Sequence, residues 1–411
     1  MANPSQNSFF SPVTGVFIEL YRRVLRLVNL RPAEHAESIK ILTDLCLAQS
    51  TRRARHYTEK ALPEALLQAF TVEPLMSGDA RFVGREEQLT RISSTLERWH
   101  TGHSSMIAVT GPQGCGLSSF LRQLEQLVGS NGTFRYSKLT RRPYDISDTL
   151  AMLSKFAGFE QPAKSVEELL ERINELPASV FVIDNGYFLS CRVMGAHDAI
   201  RVFGAVMVAT QQRHLWILGC EEYAWRRLTY IYHADRYFTD RIELAMFSGP
   251  ELDQCLALRQ QMSGVQLNSK MDGGDKELPD ELESELPTLY KLSNGKPDFA
   301  FFYYLGGLHV NPENKQLDMK PVSALDFSAL KKLISEELFT LAEVAVHGSM
   351  TIDDHRALFR SSREESWLLL ERLYQQCLLD KDETEEEPRY RLVPVYSEVI
   401  SRYLTSTNYL Y

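Results

Sequence analysis

The chain has 411 residues, a hydrophobic content of 44%, a charged content of 24% and a formal net charge of −9. This composition is typical of a globular protein with about two to four domains, because single cores seldom grow beyond about 250 to 300 residues. The acidic balance argues against a broad nucleic-acid-binding surface, which is normally basic.

The first predicted region, residues 1–76, is helical, with segments at residues 13–31, 33–55 and 63–70. The segment at 13–31 has an apolar stripe on one face and three arginines on the other. A basic amphipathic helix of this kind packs on its own domain, docks on a protein partner or lies on an anionic membrane. Peripheral membrane contact through this segment is therefore an alternative to packing within the chain.

The second predicted region, residues 77–247, alternates strands with helix-length segments. Alternation on this spacing predicts an α/β fold with a parallel five-stranded sheet that is flanked by helices on both faces. The predicted strands lie at residues 106–110, 133–137, 179–184, 215–219 and 242–246.

The segment after the first strand has the pattern of a phosphate-binding (Walker A) loop, G-x-x-x-x-G-K-[ST], except that Leu117 stands at the lysine position. Glycines permit a tight turn in which backbone N–H groups and the positive end of the next helix, predicted over 118–128, face the phosphates. Leucine cannot neutralise phosphate charge, so the pattern predicts weak nucleotide binding or none. The candidate phosphate-binding residues are Gly111, Gly114, Cys115, Gly116, Leu117, Ser118 and Ser119.

The apolar strand at 179–184 ends in Asp184, at the carboxyl edge where open α/β sheets bind ligands. We expect Asp184 and Ser118 to hold a Mg²⁺ ion beside bound ATP or ADP. The next residue, Asn185, can position a water molecule but is not a base.

The third predicted region, residues 248–320, is a helical lid, and the fourth, residues 321–411, has three helices and a two-stranded hairpin. The tip of the hairpin, residues 380–387, has seven charged residues of which six are acidic, and the whole fourth region has 16 acidic against 10 basic residues. DNA affinity depends on Lys and Arg contacts with phosphates. This hairpin therefore favours contact with protein, or packing within the chain, over DNA.

In their order, these segments resemble the P-loop ATPases of the AAA+ superclass, nearest to its STAND and origin-recognition-like branches. The resemblance covers roughly residues 80–400 and includes the segment at 82–86, the strand at 215–220 and the G-x-P sequence at 295–297. It implies a C-terminal winged helix at residues 321–411. It also implies that Val83, Gly84 and Arg85 contact the nucleotide along the adenine. Pro297 would contact the nucleotide from the lid.

Three positions depart from the family pattern. Leu117 replaces the lysine, Asn185 replaces the usual catalytic glutamate, and Gly219-Cys220 stands where the fourth strand usually ends in a polar sensor residue. We therefore interpret the chain as a pseudo-ATPase, a regulatory or scaffold subunit that engages proteins through its N-terminal helices or winged helix. The resemblance is compatible with a homo-oligomer or a hetero-oligomer.

Two alternatives remain open at the level of sequence. One is an active ATPase in which Lys138 or Arg122 replaces the missing lysine, and the other is a DNA-associated ATPase. The resemblance also implies an arginine that reaches a neighbouring subunit and a histidine near the β phosphate. The candidates for these roles are Arg226, Arg227, Arg236 and Arg241, and His347 and His355.

The six cysteines are isolated from one another, without a C-x-x-C pair, which favours buried thiols in a reducing cytosol over disulfides or zinc. The sequence also lacks an apolar run of membrane-spanning length and a secretion signal. A cytoplasmic protein is the expectation.

Overall fold

The computed structural model describes residues 62–129, 132–189, 198–267, 280–310, 317–322, 324, 328–383, 387–394 and 397–410. The helices predicted at 13–31 and 33–55, and with them the membrane contact, lie outside these ranges. In the described ranges, no helix has both the length and the apolar character that a bilayer crossing requires. Four cysteines in these ranges, at positions 115, 220, 255 and 377, are buried and form no disulfide.

The core of the molecule is a five-stranded parallel sheet, as the alternating pattern predicts. In chain order the elements are α1 (Glu64–Ala69), α2 (Glu86–His100), β1 (Met106–Gly111), α3 (Leu117–Val128), β2 (Thr133–Lys138), α4 (Ile146–Ala157), α5 (Val166–Glu175), β3 (Ser179–Asp184), α6 (Asp198–Thr210), β4 (Leu215–Glu221), α7 (Glu222–Tyr232) and β5 (Asp240–Glu243). The strand order in the sheet is β2-β3-β4-β1-β5. The strands deviate from their predicted bounds mainly at β5, which begins earlier, and at β4, which continues to Glu221.

Helices cover both faces of the sheet because alternate residues of the buried strands point to opposite sides. On one face, Ile107 and Val109 of β1 pack with apolar side chains of α2 and α3. On the other face, Met106 and Ala108 belong to a cluster with residues of α4, α5, α6 and α7. β1 and β3 are buried along their whole length, as expected for central strands of a covered parallel sheet.

The described residues that follow β5 form a third apolar cluster, which also includes α1. Their elements are α8 (Gly249–Ser263), α9 (Asp280–Ser293), α10 (Pro297–Gly307), β6 (Leu308–Val310), β7 (Leu317–Met319), α11 (Ser335–His347), α12 (Ile352–Phe359), α13 (Arg363–Gln375), β8 (Leu379–Asp382), β9 (Arg389–Leu392) and α14 (Ser397–Ser406). A short 3₁₀ turn at Ser328–Lys332 precedes α11. The β6–β7 hairpin and α14 have no counterpart in the sequence prediction.

Arg142 and Arg227 belong to the region that contains the sheet, and both contact His347 at the end of α11. Arg142 donates to Nδ1 of His347 at 3.0 Å and to the carbonyl oxygens of His347 and Ser349 at 3.1 and 3.0 Å. On the other side of the ring, Nε2 lies 3.2 Å from Arg227 and 3.2 Å from the carboxylate of Glu343. The pKa of His347 is lowered to about 4, chiefly by burial; the bond with Glu343 opposes this shift, and the two arginines contribute to it. His347 and Arg227 therefore meet each other at this junction.

His355, Arg226 and Arg241 also have partners inside the chain. The ring of His355 lies between the hydroxyls of Thr340 and Ser366, at 3.0 Å from each. Arg226 pairs with Glu222 in the next turn of α7, and Arg241 donates to the Thr110 hydroxyl at 2.9 Å.

Candidate nucleotide-binding site

The predicted strand, glycine loop and helix are present at β1 and α3. Gly114 and Gly116 have φ values of 87° and 91°, in the left-handed region that glycine adopts without strain. Gly116 is the N-cap of α3, and it provides no side chain to cap the helix. The N–H groups of the first turn of α3 therefore lack a side-chain cap, which is the arrangement that binds anions at helix N-termini.

Arg85 is hydrogen-bonded to the backbone of the loop. Its side chain is buried, with 5% exposure, and its guanidinium donates to the carbonyl oxygens of Cys115 at 3.0 Å and Ala245 at 2.7 Å. Burial lowers the pKa of Arg85. Its charge is directed at the loop backbone, and its contact with adenine stays a prediction.

Asp184 ends β3 at the carboxyl edge of the sheet, as predicted, and it is 1% exposed. One carboxylate oxygen accepts from the Tyr136 hydroxyl at 2.7 Å and the other from the backbone N–H of Asn185 at 2.8 Å. These bonds fix the orientation of the carboxylate. The sequence pattern did not identify Tyr136 as a partner.

Asn185 has a local structural role. Its φ is 62°, and asparagine is one of the few residues other than glycine that adopt this left-handed conformation readily. Its side-chain amide donates to the carbonyl oxygen of Leu139 at 2.9 Å. The amide group is therefore committed to the backbone that follows β2.

The fourth strand ends in an acid. β4 continues past Gly219-Cys220, the predicted sensor position, to Glu221, which pairs in register with Gly111. Burial raises the pKa of Glu221 to about 7; the ammonium groups of Lys296 and Lys138 oppose this rise, whereas Asp184 adds to it. A carboxyl group thus stands at the edge where phosphates would bind.

A cleft of about 220 Å³ lies between the loop, the lid and the segment before α2. It is smaller than most small-molecule sites, which measure roughly 300 to 1,000 Å³. Phe82, Phe247 and Phe301 give it an aromatic wall, and Glu221 is in its lining. Of the predicted site residues, the cleft is lined by Val83, Arg85, Gly114, Cys115, Gly116, Leu117, Ser118, Ser119 and Pro297. The lining does not include Gly84, Gly111, Asp184 or Asn185.

The segment at residues 71–78 borders this cleft and is bonded to α3. The backbone N–H of Leu75 donates to the Ser119 hydroxyl at 3.0 Å, and the N–H of Gly78 donates to the Gln123 side chain at 3.0 Å. The amide of Gln123 in turn donates to the carbonyl oxygen of Met76 at 2.7 Å. The Ser119 hydroxyl, a candidate phosphate contact, is therefore engaged by the chain itself.

Lys296, which sequence reasoning missed, lies against the loop. An ideal Cβ built on Gly114 would lie 2.4 Å from Cε and 3.2 Å from Nζ of this lysine, whose side chain is 0% exposed. The ammonium donates to the Pro394 carbonyl oxygen and the Ser397 hydroxyl. Its signal in the sequence is its place between Gly295 and Pro297 of the G-x-P segment.

Arg122 and Lys138, which the sequence suggests as replacements for the missing lysine, do not line the cleft. Arg122 donates to the Met76 sulfur at 2.6 Å, and its guanidinium lies 5.3 Å from the centre of the Tyr136 ring. Lys138 ends β2, where it pairs in register with Asp184.

The residues present are compatible with a magnesium ion that arrives with a nucleotide. In the described part of the chain, no group of three or more His, Cys, Asp and Glu side chains is arranged to hold a metal. Mg²⁺ is commonly held by one or two carboxylates together with substrate phosphates. Asp184 and Ser118 are the predicted carboxylate and hydroxyl for such a site; Ser118 lines the cleft and Asp184 does not, so their joint role stays a prediction.

The chain is similar in fold to several solved structures. The ORC2 protein of Aeropyrum pernix has 13% identity and a TM-score of 0.45, over 83% of this chain and 98% of that chain. Cdc6p of Pyrobaculum aerophilum has 13% identity and a TM-score of 0.44, over 84% and 99%. A RuvB variant of Thermotoga maritima has 12% identity and a TM-score of 0.38, over 80% and 98%. No protein-family model and no curated protein matches the sequence.

Proposed function

We propose that the chain is a degenerate AAA+/STAND-type module that binds ATP or ADP weakly, without efficient hydrolysis, and acts as a regulatory or scaffold subunit. The observation that carries this proposal is the combination of an intact amide-lined loop with Leu117 at its lysine position. Backbone geometry alone attracts phosphate at a helix N-terminus. Binding can then bias the arrangement of the regions without a chemical step.

Inefficient hydrolysis follows from two further side chains. Phosphoryl transfer depends on an oriented nucleophile and on cations that stabilise charge on the transferred group. One amide N–H of Asn185 donates to the Leu139 carbonyl oxygen at 2.9 Å, and an amide is not a base, so Asn185 does not replace the usual catalytic glutamate. Glu221 adds a carboxyl group to the cleft, which disfavours further negative charge there.

The proposed partners are proteins, bound through the N-terminal helices or through a winged helix at residues 321–411. The basic residues of the hairpin support this choice, because they pair with acids of the same region. Arg391 lies 3.0 Å from Asp380, and Lys381 lies 2.9 Å from Glu383. We further propose the division into regions at residues 1–76, 77–247, 248–320 and 321–411. A homo-oligomer and a hetero-oligomer both fit this proposal.

Calorimetric titration of the full chain with ADP and ATP, each with Mg²⁺, tests the proposal. We expect saturable binding in the micromolar range or weaker, with phosphate release no faster than in an Asp184→Ala variant. The absence of any nucleotide binding would contradict the proposal. Rapid release that depends on Asp184 would favour an active ATPase with a substitute cation. Salt-dependent retention of DNA would favour a DNA-associated protein.

A further inference from the structure

The ammonium of Lys296 is buried at the phosphate-binding loop. Its side chain packs against Gly114 and occupies the space that the methyl group of an alanine at position 114 would fill. Lys296 precedes α10 of the lid, whereas Gly114 belongs to the loop after β1. A cation from the lid thus lies directly on a loop that lacks its own.

We propose that Lys296 supplies the positive charge that Leu117 cannot, and that it does so for the phosphate groups of a nucleoside diphosphate or triphosphate bound in the loop. This inference rests on the proposed nucleotide binding and assigns a specific residue to it. The loop would provide backbone N–H groups, and the lid would provide the charge.

The bonding of the ammonium supports this assignment. A lysine ammonium has three N–H donors, and two of them are directed at the Pro394 carbonyl oxygen and the Ser397 hydroxyl. Both acceptors are uncharged. The nearest paired carboxylate oxygen, on Asp298, is 3.8 Å from Nζ, which is longer than a hydrogen bond. A phosphate oxygen is a stronger acceptor for an ammonium than a neutral carbonyl or hydroxyl.

The charges around Lys296 also favour an anion that brings more than one negative charge. Glu221 lines the cleft, and the ammonium of Lys296 acts on its carboxyl group electrostatically. This carboxyl group partly offsets the lysine. A diphosphate or triphosphate carries enough charge to compete with a single carboxyl group, whereas a neutral ligand does not.

The acceptors of Lys296 lie in the C-terminal region, just before and at the start of α14. Ser397 is therefore a positioning residue for the ammonium, and the lid, the loop and the C-terminal region meet at one side chain. A ligand phosphate that draws Nζ toward the loop would weaken its bonds with Pro394 and Ser397. Nucleotide binding and the docking of α14 would then be coupled.

The test is calorimetric titration of the full chain with MgATP and with inorganic pyrophosphate. Lys296→Met keeps the length of the side chain and removes its charge. A charge-assisted hydrogen bond is worth enough that we expect roughly 10- to 100-fold weaker binding of both probes. Lys291→Met is the control, because Lys291 is another lysine of the lid but is exposed in the last turn of α9; we expect less than a roughly threefold change there.

Rescue distinguishes a lost charge from a disturbed fold. In Lys296→Met combined with Leu117→Lys, an ammonium returns at the usual loop position, and we expect affinity within roughly threefold of the unmodified chain. If Lys296→Met does not fold, as judged by circular dichroism, Gly114→Ala with Gly116→Ala as its control gives the same test without altering a charge. Weaker MgATP binding in Gly114→Ala alone would support the proposal.

Failure of the proposed nucleotide binding can be distinguished from failure of the role of Lys296. An unmodified chain that binds neither MgATP nor pyrophosphate would overturn the nucleotide-binding function, and the role of Lys296 with it. An unmodified chain that binds MgATP, together with a folded Lys296→Met variant of equal affinity, would overturn the role of Lys296 alone.

Discussion

Gly114 of the loop lies directly against Lys296 of the lid, where a Cβ at position 114 would come within 2.4 Å of the lysine Cε. Both Gly114 and Gly116 have positive φ, so an alanine at either position is strained by about 1 to 3 kcal/mol. A Cβ at Gly116 would have no heavy atom within 4 Å. The loop is therefore crowded at only one of these two glycines.

We expect Gly114→Ala to lower the free energy of unfolding more than Gly116→Ala, by at least about 1 kcal/mol, because only the first displaces Lys296. Urea unfolding of the two variants measures the difference. Equal losses in the two variants would show that the contact between Gly114 and Lys296 is unimportant for stability.

Glu221 predicts a pH dependence of nucleotide binding. Its pKa is raised to about 7, so the carboxyl group is negative above this pH and neutral below it. We expect the affinity for MgADP to rise as the pH falls from about 8 to about 6, because repulsion of the phosphates is removed. Glu221→Gln should bind roughly tenfold more tightly than the unmodified chain at about pH 8, with little of this pH dependence.

Glu222→Gln is the control for this experiment. Glu222 is the next residue, begins α7 and pairs with Arg226 on the same helix. The titration of the ADP phosphates is common to all variants and cancels in the comparison. An unchanged pH profile in Glu221→Gln would contradict the account.

Arg142 is predicted to be essential for the attachment of the C-terminal region to the core. Its side chain is 2% exposed and donates to Nδ1 of His347 and to two carbonyl oxygens. Arg142→Met removes this donor from all three acceptors, of which the His347 carbonyl oxygen keeps the Ser349 N–H, and we expect a loss of about 3 kcal/mol in the free energy of unfolding. Chemical unfolding followed by circular dichroism measures the loss.

The adjacent Arg141 provides a matched control. Its side chain is 62% exposed, and its ion pair with Asp148 measures 3.7 Å. Arg141→Met should change stability by less than about 0.5 kcal/mol. Similar losses in the two variants would mean that the buried network contributes nothing specific.

The buried histidines predict that the protein is less stable in acid. Burial lowers the pKa of His347 and of His355 from 6.5 to about 4. Between these pH values the unfolded chain binds protons that the folded chain does not. The free energy of unfolding should therefore fall as the pH drops from 6.5 toward 4, by up to about 1.4 kcal/mol per pH unit for each histidine.

His355→Gln tests this pH dependence, because the ring nitrogens of His355 bond to hydroxyl groups and its face stacks on Phe359, whereas His347 faces charged groups. Unfolding free energies measured across this range should depend less steeply on pH in the variant. An unchanged slope would mean that His355 is protonated equally in both states.

The sheet was predictable because its strands are short apolar runs separated by helix-length segments, and because a glycine loop follows the first of them. Asp184 was predictable for the same reason, since it ends such a run. The position of Arg85 was not, because its resemblance to a family segment does not reveal that its guanidinium turns toward the Cys115 carbonyl oxygen.

Lys296 and Glu221 could not be assigned from sequence because their roles depend on tertiary contacts. Lys296 and Gly114 are far apart in the sequence and are brought together only by the tertiary contact between the lid and the loop. Glu221 follows the apolar part of β4, so the apolar pattern alone ends the strand too early. Asn185 illustrates a further limit: sequence identifies a missing glutamate, whereas the φ of 62° explains why an asparagine suits this turn.

The most direct test of the central claim is phosphate release by the purified chain at saturating MgATP, with nucleotide binding measured in parallel and Asp184→Ala as the baseline. We expect saturable binding and a release rate indistinguishable from that of Asp184→Ala. Binding accompanied by rapid, Mg²⁺-dependent release that disappears in Asp184→Ala would contradict the claim.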